Sequence, residues 1–544
     1  MKEHEPPAAS GGAEEGLRRE VTVWGSYMWG FADVGADTYV ALGLVMAAAA
    51  GATGLAFGLA GIVYIMIGLA YTELAATYPV AGGGQYFTLR GLGDFWGFVA
   101  GSALLLDYTI DIALFSVACA GYINFFLPYA GIQSSNLVLS LGPAHQVEWF
   151  WLVETLCLIL CLIWLNIRGI RESSRLNEIV GVIVIATEVG LIVFGFIAAW
   201  HPEIFRFQWT HQFPSARNFM YGTSLAIISF VGLESISQAA QETRRPATIV
   251  PRTSVALIFS VFLFATAFAV LGLGMQLPAE QVEGKWYTQP WEILGLHKDN
   301  PVAVIAKAVP VIGVIAGPFA AALGALILLI SANSGVMSAS RLTYSMSRFH
   351  FIDRWFDEVH RKYRTPARTI VIFSVIAMVQ TLLAFLAGKD RALDILANMY
   401  AFGASTGYLL VFVALMRLRF SDPHSPRPYK VPLNVKFRRN GQSYEFPVLA
   451  VFGALGVAMI LFMVVWTHEI GRIAGPAWIL ACFGYYVWYR KRQGLPVWRS
   501  IKRDWEQQQQ EVLREAEEFD LLERYRASLQ ARDRVTRLTE DNNR

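Results

Sequence analysis

Two pairs of acids interrupt otherwise oily stretches of this sequence. Trp29 to Gly43 reads WGFADVGADTYVALG and carries Asp33 and Asp37; LLLDYTIDIALF carries Asp107 and Asp111. Within each pair the spacing is four, which on a helix puts both carboxyls on one face. An acid at the centre of a bilayer costs roughly 2.5–3.5 kcal/mol on insertion scales, so four of them are not expected to face lipid. The chemistry left to such groups is electrostatic. They can hold a cation, an ammonium group or a proton in a watery interior, and no Lys or Arg lies in the central part of either stretch to neutralise them.

The elements that must position these acids follow from composition. Of the 544 residues 55% are hydrophobic and 16% charged, and the mean hydropathy is +0.41, well to the apolar side of a soluble domain. The chain reads as an all-α, polytopic membrane protein. A span needs roughly 20 apolar residues, and about twelve such runs occur, near 22–47, 53–77, 95–128, 149–166, 177–199, 217–240, 253–276, 308–339, 368–387, 393–416, 447–467 and 473–490. Lys and Arg crowd alternate connections, with Arg341, Arg348, Arg354, Arg417, Arg427 and Lys430 among them, which predicts that both termini are cytoplasmic. Residues 1–20 are polar and lack the pattern of a signal peptide, so they read as a cytoplasmic tail, and the absence of such a signal fits a bacterial inner (plasma) membrane. Residues 492–544 are rich in helix formers with apolar residues at helical spacing, predicting a cytoplasmic amphipathic helix.

Other classes are excluded. The net charge of +3 is too small and too scattered for nucleic acid. Cys119, Cys157, Cys161 and Cys482 all fall in apolar runs and read as packing thiols, so neither a disulfide framework nor a metal site is expected. There is no P-loop, hydrolase elbow or His cluster, so no enzyme and no cofactor are expected.

Runs one and six share glycines at their middles: Gly30 and Gly35 flank the acids, and YGTSLAIISFVGLESISQ carries Gly222, Gly232 and then Glu234. Glycine costs roughly 1 kcal/mol in a helix interior, and irregular backbone at membrane depth survives only along a cavity. Breaks at positions one and six, five helices apart, are what a pair of inverted five-helix repeats would give. The repeats would cover about 22–199 and 217–416, with two helices, 447–490, added to complete a transporter domain over 21–491.

Four segments resemble the amino acid–polyamine–organocation (APC) transporter superfamily. They are YTELAATYPVAGGGQYFTLRGLG after run two, FVGLESISQAAQETRRPATIVPR after run six, SRLTYSMSRFHFIDRWF after run eight and RFSDPHSPRPYKVP between runs ten and eleven. The resemblance implies the leucine-transporter-like fold, with helices one and six unwound at the centre and alternating access of a bundle rocking against a scaffold. It implies a substrate site at Asp33, Val34, Gly35, Ala36 and Asp37, facing Phe230, Gly232 and Glu234. In amino acid carriers of this type a Gly-Ser-Gly run holds the substrate carboxylate; here it falls on Gly35, Ala36 and Asp37, and the acid would repel a carboxylate unless protonated, paired or turned away. Potassium-carrying relatives are similar at Asp33 and Asp107, although Asp111 and Phe115 stand where they place hydroxyls.

For the coupling ion, Glu188 reads as a proton carrier or a packing carboxyl, and Ser331 and Ser334 as one side of a sodium site or as glue between helices. Glu73 and Glu242 lie near span ends, where Arg90, Arg244 or Arg245 is expected to pair with them. Tyr39 and Phe230 read as lids over a substrate or as packing. The expected function is a secondary active transporter for an amino acid or organic amine, proton- or sodium-coupled; the alternatives are a potassium carrier of the same fold and a nutrient sensor signalling through its tail. Expected partners are a small molecule or cation, the coupling ion and membrane lipid.

Overall fold

The computed structural model describes residues 22–542 apart from 133–138, 143–144, 169–172, 241–242, 244, 283, 359, 361–362, 364, 389 and 440–441. Residues 1–20, Glu242 and Arg244 therefore lie outside the described residues.

In lipid every backbone amide must bond within its own segment, so apolar runs become helices. Ten stretches among the described residues are long and apolar enough to cross a membrane. The first, Val23–Thr77, holds two helices, α1 (Val23–Ala49) and α2 (Thr53–Thr77), joined by a tight turn over Ala50–Ala52. There follow α3 (Asp94–Asn124), α4 (Trp149–Arg168), α5 (Ser173–Ala198), a sixth, interrupted helix, α7 (Pro246–Gly274), α8 (Gly313–Arg348), α9 (Ala367–Leu386), α10 (Ala392–Ser421) and α11 (Val448–Thr467). α12 (Gly471–Arg492) has the length but falls outside the ten, being richer in Trp, Tyr and Arg. Among the described residues strands occur only in the connections, as three antiparallel hairpins that the apolar pattern did not announce. The longest pairs Asn434–Arg439 with Gln442–Pro447.

The sixth helix is interrupted as its glycine suggests. α6a (Ala216–Ala226) tightens into a 3-10 turn over Ile227–Phe230, the chain extends at Val231, and Gly232 takes φ +103° before α6b (Glu234–Ala239) begins. That backbone conformation strains any residue with a Cβ. The first helix is different, and the expectation of a break there is overturned: α1 is α-helical without interruption from Val23 to Ala49. Its glycines serve close packing. A Cβ on Gly30 would meet Leu257 at 2.6 Å and Ile236 at 2.8 Å, and one on Gly35 would meet the Phe31 ring at 3.1 Å. The expected start of α8 near 308 is also corrected. A separate short helix, Pro301–Ala308, ends there, Pro310 supplies no amide donor, Val311 sits at φ +67°, and α8 restarts at Gly313.

α3 is buried along its apolar length. A Cβ on Gly403 of α10 would lie 3.1 Å from the Ala103 carbonyl and the Asp107 amide, and one on Gly335 of α8 would lie 2.4 Å from the Asp111 carboxyl, so both glycines permit close approach to α3. Two tail helices, α13 (Trp505–Glu515) and α14 (Phe519–Asn542), fold back onto one end of the bundle. There Gln509 donates to the Thr77 carbonyl at 2.9 Å and accepts from Arg90 at 2.9 Å, while Asp94 binds Arg490 and Arg503, each at 2.5 Å.

Candidate functional site

Four acids arrive on two continuous helices, Asp33 and Asp37 on α1 and Asp107 and Asp111 on α3, and the break in the sixth helix adds Glu234 as the first residue of α6b. Their exposures are 7, 1, 1, 4 and 1%, so the centre of the bundle is closed to solvent. All five share one region: Asp37 lies within electrostatic reach of Asp33, Asp107, Asp111 and Glu234, and Asp33 lies beside Glu234. Asp107 and Glu234 are neighbours, and two carboxyls can share a hydrogen bond only when one of them carries a proton.

The partners of these acids are hydroxyls and backbone amides. Ser331 donates to Asp33 Oδ1 at 3.3 Å, with Ser334 and Ser235 beside the same carboxyl and their hydroxyls otherwise unpartnered. Tyr400 donates to Asp111 Oδ1 at 3.5 Å. Glu234 Oε2 accepts from the Tyr408 hydroxyl at 2.8 Å and from the Gly232 amide at 3.2 Å. Neither oxygen of Asp107, nor Asp37 Oδ2, nor Glu234 Oε1 has a donor. Among the described residues no Lys, Arg or His forms an ion pair with any of the five. Nor do three His, Cys, Asp or Glu side chains converge on one point as a metal would require. The arrangement is a buried, acid-rich centre to which no basic side chain among the described residues supplies a counter-charge. Like carboxylates in a low dielectric repel strongly, so the cluster demands protons or a mobile cation.

Comparison with known proteins decides the family. Residues 23–488 match the family described as amino acid permease. The chain belongs to that family. It is 27% identical to a branched-chain amino acid permease of Bacillus subtilis, over 78% of this chain and 86% of the relative. A branched-chain amino acid permease of Lactococcus lactis is 24% identical, over 80 and 86%. Cationic amino acid transporter 4 of Mus musculus is 27% identical, over 72 and 59%. The chain is thus a multi-pass transporter of the APC superfamily and not an enzyme.

The remaining residues singled out in the sequence of this permease divide into two groups. Val34, Gly35 and Ala36 lie within continuous helix, so their amides are not bare. Val34 and Asp33 do meet the sixth-helix break, since a Cβ at Gly232 would lie 3.1 Å from the Asp33 carboxyl and 3.3 Å from Val34. Phe230 is fully buried and stacks on Tyr64 of α2 at 5.0 Å, with Phe57 edge-on at 6.3 Å, so it is packed into α2. Glu188 of α5 is buried beside Tyr39 of α1 and is not grouped with the five acids. Tyr39 itself packs on Tyr122 at 5.7 Å.

Glu73 has different partners from those expected. Arg419 donates to it at 2.7 Å, Arg427 lies at 3.4 Å, and the Val431 amide donates at 2.8 Å. Arg90 instead binds Asp422 at 2.7 Å. Burial raises the Asp422 carboxyl, but Arg90, Ser425 and Arg427 outweigh it and hold it below the usual carboxylate range. Sequence reasoning missed Tyr400 and Tyr408 of α10. Their signal was present in ANMYAFGASTGYLL: two tyrosines eight apart share a helix face with small residues between them, among them Gly403 and Gly407.

Proposed function

We propose that this permease is a secondary carrier for an amino acid or organic amine, and that Asp33, Asp37, Asp107, Asp111 and Glu234 receive the positive charge of the cargo or of its coupling ion. The observation that carries the reading is the grouping of five buried carboxyls from three elements with no cationic side chain paired to them. Relatives named for branched-chain and for cationic amino acids have in common a cargo with an α-ammonium and an α-carboxylate group, and a protein carboxylate is the natural partner of the ammonium. Because the acids share a region without converging on a point, they suit a group such as an ammonium, reached from several sides, better than an ion clasped by three carboxylates.

In this reading the twelve helices α1–α12 all cross the membrane as a five-plus-five inverted repeat with two added helices. Both termini are cytoplasmic, in a bacterial inner membrane, and the tail helices pack on the cytoplasmic end. The carrier works by alternating access, and the closed centre is its occluded arrangement. Coupling is to a proton shared within the acid cluster, with Asp33, Ser331 and Ser334 offering the oxygens for sodium as the second possibility. Glu188 stands apart from this set as a separate protonatable carboxyl. A potassium carrier is the competing reading, favoured by the lack of any fixed counter-charge.

The deciding experiment is thermal stabilisation of the purified protein by amino acids, diamines, potassium and sodium, at acidic and neutral pH, repeated with Asp33→Asn. Stabilisation by an amine-bearing solute that weakens in Asp33→Asn supports the proposal. Stabilisation by potassium alone, lost in the same variant, replaces it with the ion-carrier reading.

A further inference from the structure

At the tail-bearing end, the loop after α10, the long hairpin and α14 line an open cleft of about 610 Å³. Its charged lining is Arg419, Arg427, Lys430 and Arg524 against the single carboxylate of Glu445, with the His424 ring alongside. With Glu73 behind Arg419 and Arg427, the four cations meet two carboxylates, which leaves a net positive field in a space of ligand size.

Not all of this charge is taken up. Arg419 is 4% exposed, binds Glu73 at 2.7 Å and Glu445 at 3.5 Å, and keeps a buried Nε without an acceptor. Lys430 holds Glu445 at 2.6 Å, and Lys436 adds a further contact at 3.6 Å, so three cations already compete for that carboxylate. Arg427 is spent on Glu73 and on the carbonyls of Leu418, Asp422 and Ser425, which fixes the loop rather than the cavity. Arg524 of α14 lines the space from the opposite wall with no acidic partner among the described residues. The loop is stiff, because Pro423, Pro426 and Pro428 lie within six residues and fix their own φ. Arg427 bonds and the Ser528 hydroxyl, which donates to the His424 carbonyl at 3.3 Å, hold it further. A pre-shaped cavity with guanidinium forks and an unpaired Arg is suited to oxyanions with several acceptor oxygens, phosphate above all.

We propose that this cavity binds a phosphate-bearing anion, gripped between Arg419 and Lys430 on the loop side and Arg524 on the tail. The ligand would tie α14 to the α10 loop. Two sources share this chemistry. The cavity borders the ends of α10 at Ser421 and α11 at Val448, where a lipid headgroup would lie, and it is equally open to a soluble phosphate compound.

The test uses the full chain. In detergent, binding of inorganic phosphate and of glycerol 3-phosphate is measured by calorimetry. In nanodiscs, the unfolding midpoint is compared between phosphatidylglycerol and phosphatidylcholine. Arg524→Gln changes an exposed side chain, and Lys430→Gln one that is 45% exposed, so both variants are expected to fold. Arg526→Gln, which removes an equal charge from α14 where Arg526 contacts Gln510, is the control. Binding of the soluble probes that weakens at least tenfold in Arg524→Gln and Lys430→Gln, but not in Arg526→Gln, supports the site with a soluble ligand. A midpoint raised only by phosphatidylglycerol, with the same pattern across variants, supports it with a headgroup. No response to any probe, or an equal loss in Arg526→Gln, overturns it.

Discussion

Replacing Asp107 by Asn separates a site carboxyl from a structural one. No amide, hydroxyl or cationic group donates to either oxygen of Asp107; the one bond open to it is a proton shared with Glu234, and the new amide can donate to Glu234 in place of that proton. It also removes one of five mutually repelling groups. Folding stability in Asp107→Asn is therefore expected to hold or rise. Transport should fall steeply, because a cation in the closed centre loses a charged partner. Breaking one side of a buried charge pair costs about 3–5 kcal/mol, which at about 1.4 kcal/mol per decade is roughly a 140- to 3,700-fold loss in transport efficiency. The assay is uptake into proteoliposomes, beside the unfolding midpoint of the same preparation. Wild-type uptake in a folded Asp107→Asn protein would refute the assignment. A lowered midpoint would refute the claim that Asp107 lacks a structural partner.

Tyr408→Phe removes the 2.8 Å donor of Glu234 and leaves a buried carboxyl oxygen short of a partner, a cost of about 1–3 kcal/mol in stability measured by unfolding, with reduced uptake. Gly335→Ala places a methyl 2.4 Å from Asp111 Oδ2 and 3.1 Å from Ile112; α8 and α3 must part, at about 1–3 kcal/mol, and uptake should drop with stability, while Gly190→Ala, with open space around it, should change neither. On the connections between α7 and α8, His297 binds Glu280 at 2.9 Å. Burial disfavours the imidazolium, but Glu280 more than reverses this and raises the His297 pKa, while His297 holds the Glu280 carboxyl low. The tie is therefore complete between those two pKa values, lost above the raised His297 pKa and lost again in acid; exchange protection of residues 276–300, relative to the intrinsic rate at each pH, should fall as pH rises past the raised His297 pKa, and His297→Gln should abolish that fall.

Apolar run length was enough to find the helices, because a lipid interior leaves the backbone one solution. The interruption of the sixth helix was legible for a related reason: Gly232, with the acid Glu234 two residues on at membrane depth, implies irregular backbone beside a polar interior. The same reasoning misread the first helix. Gly30 and Gly35 signal equally well a break or a close contact, and only the positions of Leu257, Ile236 and Phe31 distinguish the two. The four paired acids were legible from the insertion cost of each. Tyr400 and Tyr408 were not, since a buried tyrosine is unremarkable until the carboxyl opposite it is known. The partners of Glu73 were hidden because Arg419 and Arg427 lie more than 340 residues away in sequence, and charge alone does not choose among several arginines at one end of a bundle.

The contrast between the two helices constrains how a substrate with its own carboxylate would be held. In the closed arrangement α1 uses its amides within the helix, so it has none to offer at Gly35 or Ala36. The irregular segment at the same depth is Val231–Leu233, and there the Gly232 amide is already bonded to Glu234. A carboxylate entering the centre would meet five acids, with neutral hydroxyls such as Ser235 and Ser334 as the donors left beside them. Either Glu234 releases the Gly232 amide, by taking up a proton or a cation, or α1 unwinds between Gly30 and Asp37 when the cargo arrives. The first route makes proton uptake a precondition for binding a zwitterion and leaves an amine without a carboxylate free to bind unaided. A preference for simple amines over their amino acids at neutral pH, narrowing as the pH falls, follows from the first route; a preference unchanged by pH follows from the second.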